Sequence, residues 1–87
     1  MKIKYHKDFL KNYKKRIKPY PKLTSQFTNQ LDKFINNPKD PSLRDHKLIG
    51  NKISFRSFSI TGDIRVVYLI KYGEIWLYDI GSHNQVY

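Results

Sequence analysis

The 87-residue chain contains no cysteine, which excludes a disulfide framework and thiolate chemistry. No apolar run approaches the roughly 20 residues needed to span a bilayer. Lys2, Lys4 and Lys7 interrupt the N-terminus where a signal peptide would carry its apolar core. A cytoplasmic protein with no membrane association is therefore expected. Only four glycines occur, scattered at turns, with neither a phosphate-binding glycine loop nor a serine elbow. The three histidines, His6, His46 and His83, lack metal-ligating spacing, so no metal and no cofactor is expected. Acids are also scarce, and those present lie among cations, which argues against a glycosidase-type carboxylate pair.

Cations and aromatic rings are abundant instead. Seventeen Lys and Arg against seven Asp and Glu give a net charge of +10. Such a balance is self-repulsive in a compact chain and points to a polyanionic partner: nucleic acid, an acidic protein or, as the weakest of the three, an anionic membrane surface. Seven Tyr, five Phe and one Trp let a short chain bury much area per residue. The length suits one domain, residues 1–87, with one modest core.

The apolar periodicity changes along the chain. Met1 to Tyr5 alternates apolar and basic residues, the pattern of a half-buried, lysine-bearing edge strand. Phe9, Leu10, Tyr13 and Ile17 then fall at helical spacing and predict a helix over residues 7–17. Lys14, Lys15 and Arg16 complement its C-terminal dipole. Pro19, Tyr20 and Pro21 break it, and Pro21 suits the first turn of a second helix. Leu23, Phe27, Leu31, Phe34 and Ile35 make that helix's apolar stripe to about Asn36, opposite a polar face with Ser25, Gln26, Asn29, Gln30 and Lys33. Ser42 to Gly50 reads as a loop. Three strands follow over about 52–60, 64–72 and 74–80, with turns at Thr61-Gly62-Asp63 and Tyr72-Gly73. Ile53 and Phe55 lie on one face of the first, Arg56 and Phe58 on the other. In the second, Ile64, Val66, Tyr68 and Ile70 are offered to the helices, and Arg65 is left on the open face. The expected fold is α+β, in the order β-α-α-β-β-β, with a helical hairpin on one face of a small, mostly antiparallel sheet.

Cleavage of RNA by its own 2′-hydroxyl needs a base, cations for charge building on the phosphate, and an acid for the leaving 5′-oxygen. Arg, Lys, His and Tyr around one sheet face supply those types. A pure RNA-binding module has the same ingredients, and composition alone favours binding over catalysis.

Asp45-His46-Lys47-Leu48-x-Gly50, Phe55-Arg56, Gly62-Asp63-Ile64-Arg65-Val66-Val67-Tyr68 and Gly81-Ser82-His83-x-x-Val86-Tyr87 follow the helical hairpin in that order. Together they resemble the RelE/ParE toxin superfamily, most closely its YafQ-like branch from bacterial type II toxin–antitoxin systems. The resemblance implies an mRNA interferase that acts on messages on the ribosome without a metal. It also implies a cognate antitoxin, a complex that binds operator DNA, and contact with ribosomal RNA. On the family's pattern His46 and His83 handle protons, Asp63 is an implicated acid, and Arg65 stabilises phosphate charge. Tyr87 stacks on a base or assists proton transfer. Arg44, Lys47, Lys52 and Arg56 are the expected RNA-binding cations. Two positions depart from the branch: Ser59 stands where a histidine is common, and Asp79 where an arginine is. A carboxylate at 79 would weaken phosphate binding there, and Arg65 is placed to compensate.

Other readings set beside this one are a ParE-like gyrase inhibitor without ribonuclease activity and a non-catalytic RNA-binding domain. Arg65 could instead pair with Asp63 or Asp79. Tyr68, Trp76 and Tyr78 are expected to pack in or around the core.

Overall fold

The structure, a computed structural model, describes residues 2–50 and 54–87. Its elements are β1 (Lys2–Tyr5), α1 (Lys7–Arg16), α2 (Pro21–Asn36), a short 3-10 turn (Pro41–Leu43), β2 (His46–Lys47), β3 (Arg56–Ser59), β4 (Ile64–Lys71), β5 (Glu74–Ser82) and α3 (His83–Val86). The strands form one sheet in the order β1-β5-β4-β3-β2. β1 runs parallel to β5, and the other pairs are antiparallel. The expected α+β layout is thus observed, with two additions, the two-residue β2 and the terminal α3. The expected strand positions Lys52 and Ile53 lie outside the described residues.

Each helix has a local cause. His6 Nδ1 accepts from the Asp8 amide at 3.1 Å and caps α1, whose last turn carries Lys14, Lys15 and Arg16. Pro21 opens α2, where its missing N–H has no helical partner to lose. Phe9, Ile17, Phe27 and Phe34 from the helices bury against Phe58, Ile60, Val66, Tyr68, Ile75, Leu77 and Ile80 of the sheet. Phe34 stacks on Phe58 at 4.4 Å between centroids and meets Tyr68 edge-on at 4.8 Å.

The helical stripes are narrower than their periodicity suggests. Leu10 and Ile35 are about half exposed, because each sits at the margin of its stripe and faces away from the sheet. Gln30, expected on the polar face of α2, is instead buried, and its Nε2 donates to the Ser59 carbonyl at 2.9 Å. That bond gives the buried amide group a partner in the sheet.

β4 and β5 are joined by Tyr72 and Gly73, both with positive φ (54° and 73°), the two-residue turn whose twist matches a hairpin. Their ladder slips at Val67/Tyr68, so Tyr78 is an extra residue on β5. β1 covers β5 only from Glu74 to Leu77. Beyond it α1 protects the edge, with Arg16 donating to the Ile80 carbonyl at 2.9 Å.

Candidate active site

The face of the sheet turned away from α1 and α2 is set by alternation and register. Val66 and Tyr68 point to the helices, so Arg65 and Val67 point away. Ser59 is paired with Arg65, and Ser57 with Val67. His46 is paired in turn with Ser57. Directly paired residues share a face, so His46, Ser57, Ser59, Arg65 and Val67 lie together.

α3 folds back over this face. Val86 buries with Leu48, Val67 and partly buried Phe55 in a second, smaller apolar cluster. The chain can return so closely because residue 81 is glycine: a Cβ there would stand 2.6 Å from Gln85 Oε1 and 2.7 Å from Arg16 Nη1. Gln85 Oε1 in turn accepts from the Ser82 amide at 2.7 Å and ties the start of α3.

Tyr87 is the hub of the arrangement. Its ring meets His83, one helical turn earlier, edge-on at 4.5 Å and 86°. It meets His46 at 6.4 Å and 75°. Its hydroxyl donates to Ser57 Oγ at 2.5 Å. Arg65 Nη1 donates to Ser59 Oγ at 3.0 Å, and the other guanidinium donors make no hydrogen bond among the described residues. Two histidines and a phenol, all exposed, and a half-buried arginine therefore share one surface.

His46 Nδ1 lies 2.9 Å from the Arg44 carbonyl oxygen. A carbonyl only accepts, so neutral His46 carries its proton on Nδ1 and leaves the Nε2 lone pair open.

The remaining expected residues are distributed differently. Asp63 is exposed in the β3–β4 turn, next to the end of the sheet from which α3 departs, and its carboxylate makes no ion pair with the described residues. Arg65 pairs with neither Asp63 nor Asp79. Asp79 Oδ1 instead receives Asn12 Nδ2 at 2.7 Å and Arg16 Nη1 at 3.4 Å. The expected RNA-binding cations are not gathered beside the histidines. Arg56 shares the helix-covered face with Phe58, and its Nε donates to Asp45 Oδ1 at 2.8 Å. Lys47 is paired with Arg56 and shares that face at the β2 edge. Arg44, in a left-handed conformation (φ 49°), borders the same cavity as Arg56 and Tyr68. Lys52 lies outside the described residues.

Asp45 also accepts a short hydrogen bond from the Tyr68 hydroxyl. Burial, then the hydrogen bond and the charge of Asp45, push the Tyr68 phenol well above its ordinary value. Burial opposes the charge on Arg56, yet hydrogen bonds to Asp45 and Tyr68 and the Asp45 charge hold its guanidinium more firmly protonated than usual.

Ser57 was not singled out by sequence, although Phe58 facing the core requires Ser57 and Ser59 to face Arg65. No group of three or more acids and histidines suited to a metal ion occurs among the described residues. None of the helices there is long and apolar enough to cross a membrane.

Comparison with known structures gives a consistent relationship. YafQ from Escherichia coli superimposes with a TM-score of 0.83 at 20% identity, covering 98% of this chain and 96% of that one. A copper-bound mutant toxin from Helicobacter pylori is 30% identical with a TM-score of 0.77, covering 100% and 99%. The E. coli DinJ-YafQ complex matches with a TM-score of 0.80 at 20% identity, covering 98% and 96%. A search of curated proteins finds no significant match. The profile described as "Bacterial toxin of type II toxin-antitoxin system, YafQ" matches residues 1–87, and the chain belongs to that toxin family.

Proposed function

We propose that this toxin is an endoribonuclease that cuts mRNA on the ribosome by acid–base chemistry, with the charge carried by side chains rather than by a metal. The observation that carries the reading is Tyr87, whose ring touches both His83 and His46 on the face that holds Arg65. His46 Nε2 takes the proton of the 2′-hydroxyl as its oxygen bonds to phosphorus. The bond from phosphorus to the 5′-oxygen breaks, and protonated His83 supplies that oxygen with a proton. The products are a 2′,3′-cyclic phosphate and a 5′-hydroxyl, and the net proton balance is zero. Arg65 uses its other donors on the phosphate oxygens, where charge grows in the transition state. Tyr87 keeps the two imidazoles apart and oriented. Asp63 stands in the turn before Ile64, whose partner Ser82 directly precedes His83.

The basic surface supports two further partners. Ribosomal RNA is attracted by the net charge of +10. E. coli YafQ is described in complex with DinJ, and a cognate antitoxin with acidic segments is proposed for this chain. Their complex is expected to bind operator DNA.

Expression in a bacterial host tests the reading. Growth should stop with messages cut within codons, and His83→Ala or Arg65→Ala should relieve the arrest while the protein stays folded. Intact messages accompanied by DNA damage would instead indicate gyrase inhibition.

A further inference from the structure

A cavity of about 480 Å³ lies between α1 and the outer sheet face, away from the two histidines. Its size falls in the roughly 300–1,000 Å³ range of small-ligand sites. The inner walls are apolar and aromatic: Val67, Phe55 and Tyr78. Phe55 and Tyr78 meet at 5.1 Å and 82°, so their rings form a corner. His6 stacks on Tyr78 at 4.5 Å and 18° and fixes that ring in place. Tyr78 is thus not simply rim packing. It is the extra residue of β5, and the bulge alters its direction relative to the regular strand.

Asp79 borders the same corner. Its Oδ1 is fully engaged, by Asn12 Nδ2 at 2.7 Å, the Ile80 amide at 2.8 Å and Arg16 Nη1 at 3.4 Å. Oδ2 accepts no hydrogen bond from the described residues, and 27% of the side chain is accessible. Three donors on one oxygen fix the carboxylate's orientation and leave the other oxygen as a preorganised acceptor.

The charge pattern decides what fits. A carboxylate only accepts and repels phosphate. Asp8 adds a second negative charge at the rim against Lys11, while Arg16 is already engaged. A flat heteroaromatic group bearing N–H donors matches an aromatic corner ending in a carboxylate. Register relates the cavity to His46. His46, Ser57, Val67 and Asp79 are successive partners in one row across β2, β3, β4 and β5. Three interstrand steps separate His46 from Asp79 by roughly 14 Å.

We propose that this cavity is a nucleobase subsite, in which Asp79 selects bases carrying an exocyclic amine at a position further along the strand from the cleaved bond. The path of the strand rests on the ribonuclease reading above. Adenine, cytosine and guanine each present an amine to Oδ2. Uracil presents one imino N–H between two carbonyl oxygens, which the carboxylate repels. A family arginine at this position would bind phosphate instead, so the departure at Asp79 changes which part of the nucleotide is held.

The test uses 2′-O-methylated trinucleotides of A, C or U, which cannot be cut, titrated against the whole chain with NMR detection of the Phe55 and Tyr78 rings. A and C trimers should bind ~5-fold or more tightly than U, and Asp79→Asn should bring the ratio to within ~2-fold. Melting curves establish that the variant is folded. Equal binding of all three trimers, or an unchanged ratio in Asp79→Asn, would overturn the subsite. Because nothing is cut in this assay, an inactive protein with the ratio intact would sink the ribonuclease reading and leave the subsite standing.

Discussion

Tyr87 stands edge-on to His83 with ring centroids 4.5 Å apart, and its hydroxyl is anchored 2.5 Å from Ser57. The ring and the hydroxyl therefore have separable duties. Tyr87→Phe keeps the contact with both histidines and loses one neutral hydrogen bond, with a stability cost of about 1 kcal/mol. RNA cleavage should fall only a few-fold. Tyr87→Ala removes the spacer between the imidazoles and should reduce cleavage by ~10²-fold or more, in line with the loss of an oriented acid or base. Cleavage rates with purified ribosomes, beside melting curves, separate the two.

Gly81 leaves the room that the Gln85 and Arg16 side chains occupy beside β5. Gly81→Ala must displace Gln85 and Arg16, whose bonds to the Ser82 amide and the Ile80 carbonyl are then strained or lost. Two such bonds correspond to about 1–2 kcal/mol. The displaced α3 carries His83 and Tyr87 with it, so activity should fall by more than the change in folded fraction. Denaturant titration and cleavage assays on the same preparation give the comparison.

Asp45 ties Arg56 and Tyr68 together with side chains 13% and 35% exposed for the ion pair's acid and base. Asp45→Ala leaves both partners short of an acceptor. The expected cost is about 1–3 kcal/mol, less than for a fully buried pair because Arg56 still reaches water. The melting midpoint should drop by roughly 5–20 °C. Asp45→Asn, which keeps one acceptor oxygen, should lose less.

The Tyr68 phenol has its folded-state pKa raised from 10.0, by burial and then by the neighbouring Asp45. The unfolded chain releases this proton first. Its contribution to stability is complete below about pH 10 and is lost as pH rises from there toward the folded-state value. Tyr68→Phe has no such proton, so its stability should fall less steeply with pH above about pH 10 than that of the unsubstituted chain. Urea titrations at a series of alkaline pH values measure the two slopes.

Long, regular patterns were readable before the structure. Pro21 and the Leu23, Phe27, Leu31, Phe34 stripe gave α2 its observed start and end. The Ile64, Val66, Tyr68 alternation placed Arg65 on the outer face. Short or tertiary features were not readable. β2 has two residues and α3 four, too few for any period to register. Gln30 looked like part of a solvated face because its burial depends on one carbonyl, that of Ser59, 29 positions away. Among the site residues, His46, Arg65, His83 and Tyr87 meet on one face. Arg56 does not, although its alternation with Phe58 already assigned it to the side the helices cover. Ser57 escaped notice because its role exists only once Tyr87 folds back onto it.

In the proposed reaction His46 and His83 exchange protons with RNA on this face. The direct measurement is single-turnover cleavage of a message on purified ribosomes, with chemical analysis of the new RNA ends. The unsubstituted chain should leave a 2′,3′-cyclic phosphate and a 5′-hydroxyl, and His46→Ala and His83→Ala should each slow the step by ~10²-fold or more. Cleavage at an unchanged rate in both folded variants, or ends carrying a 5′-phosphate, would contradict it.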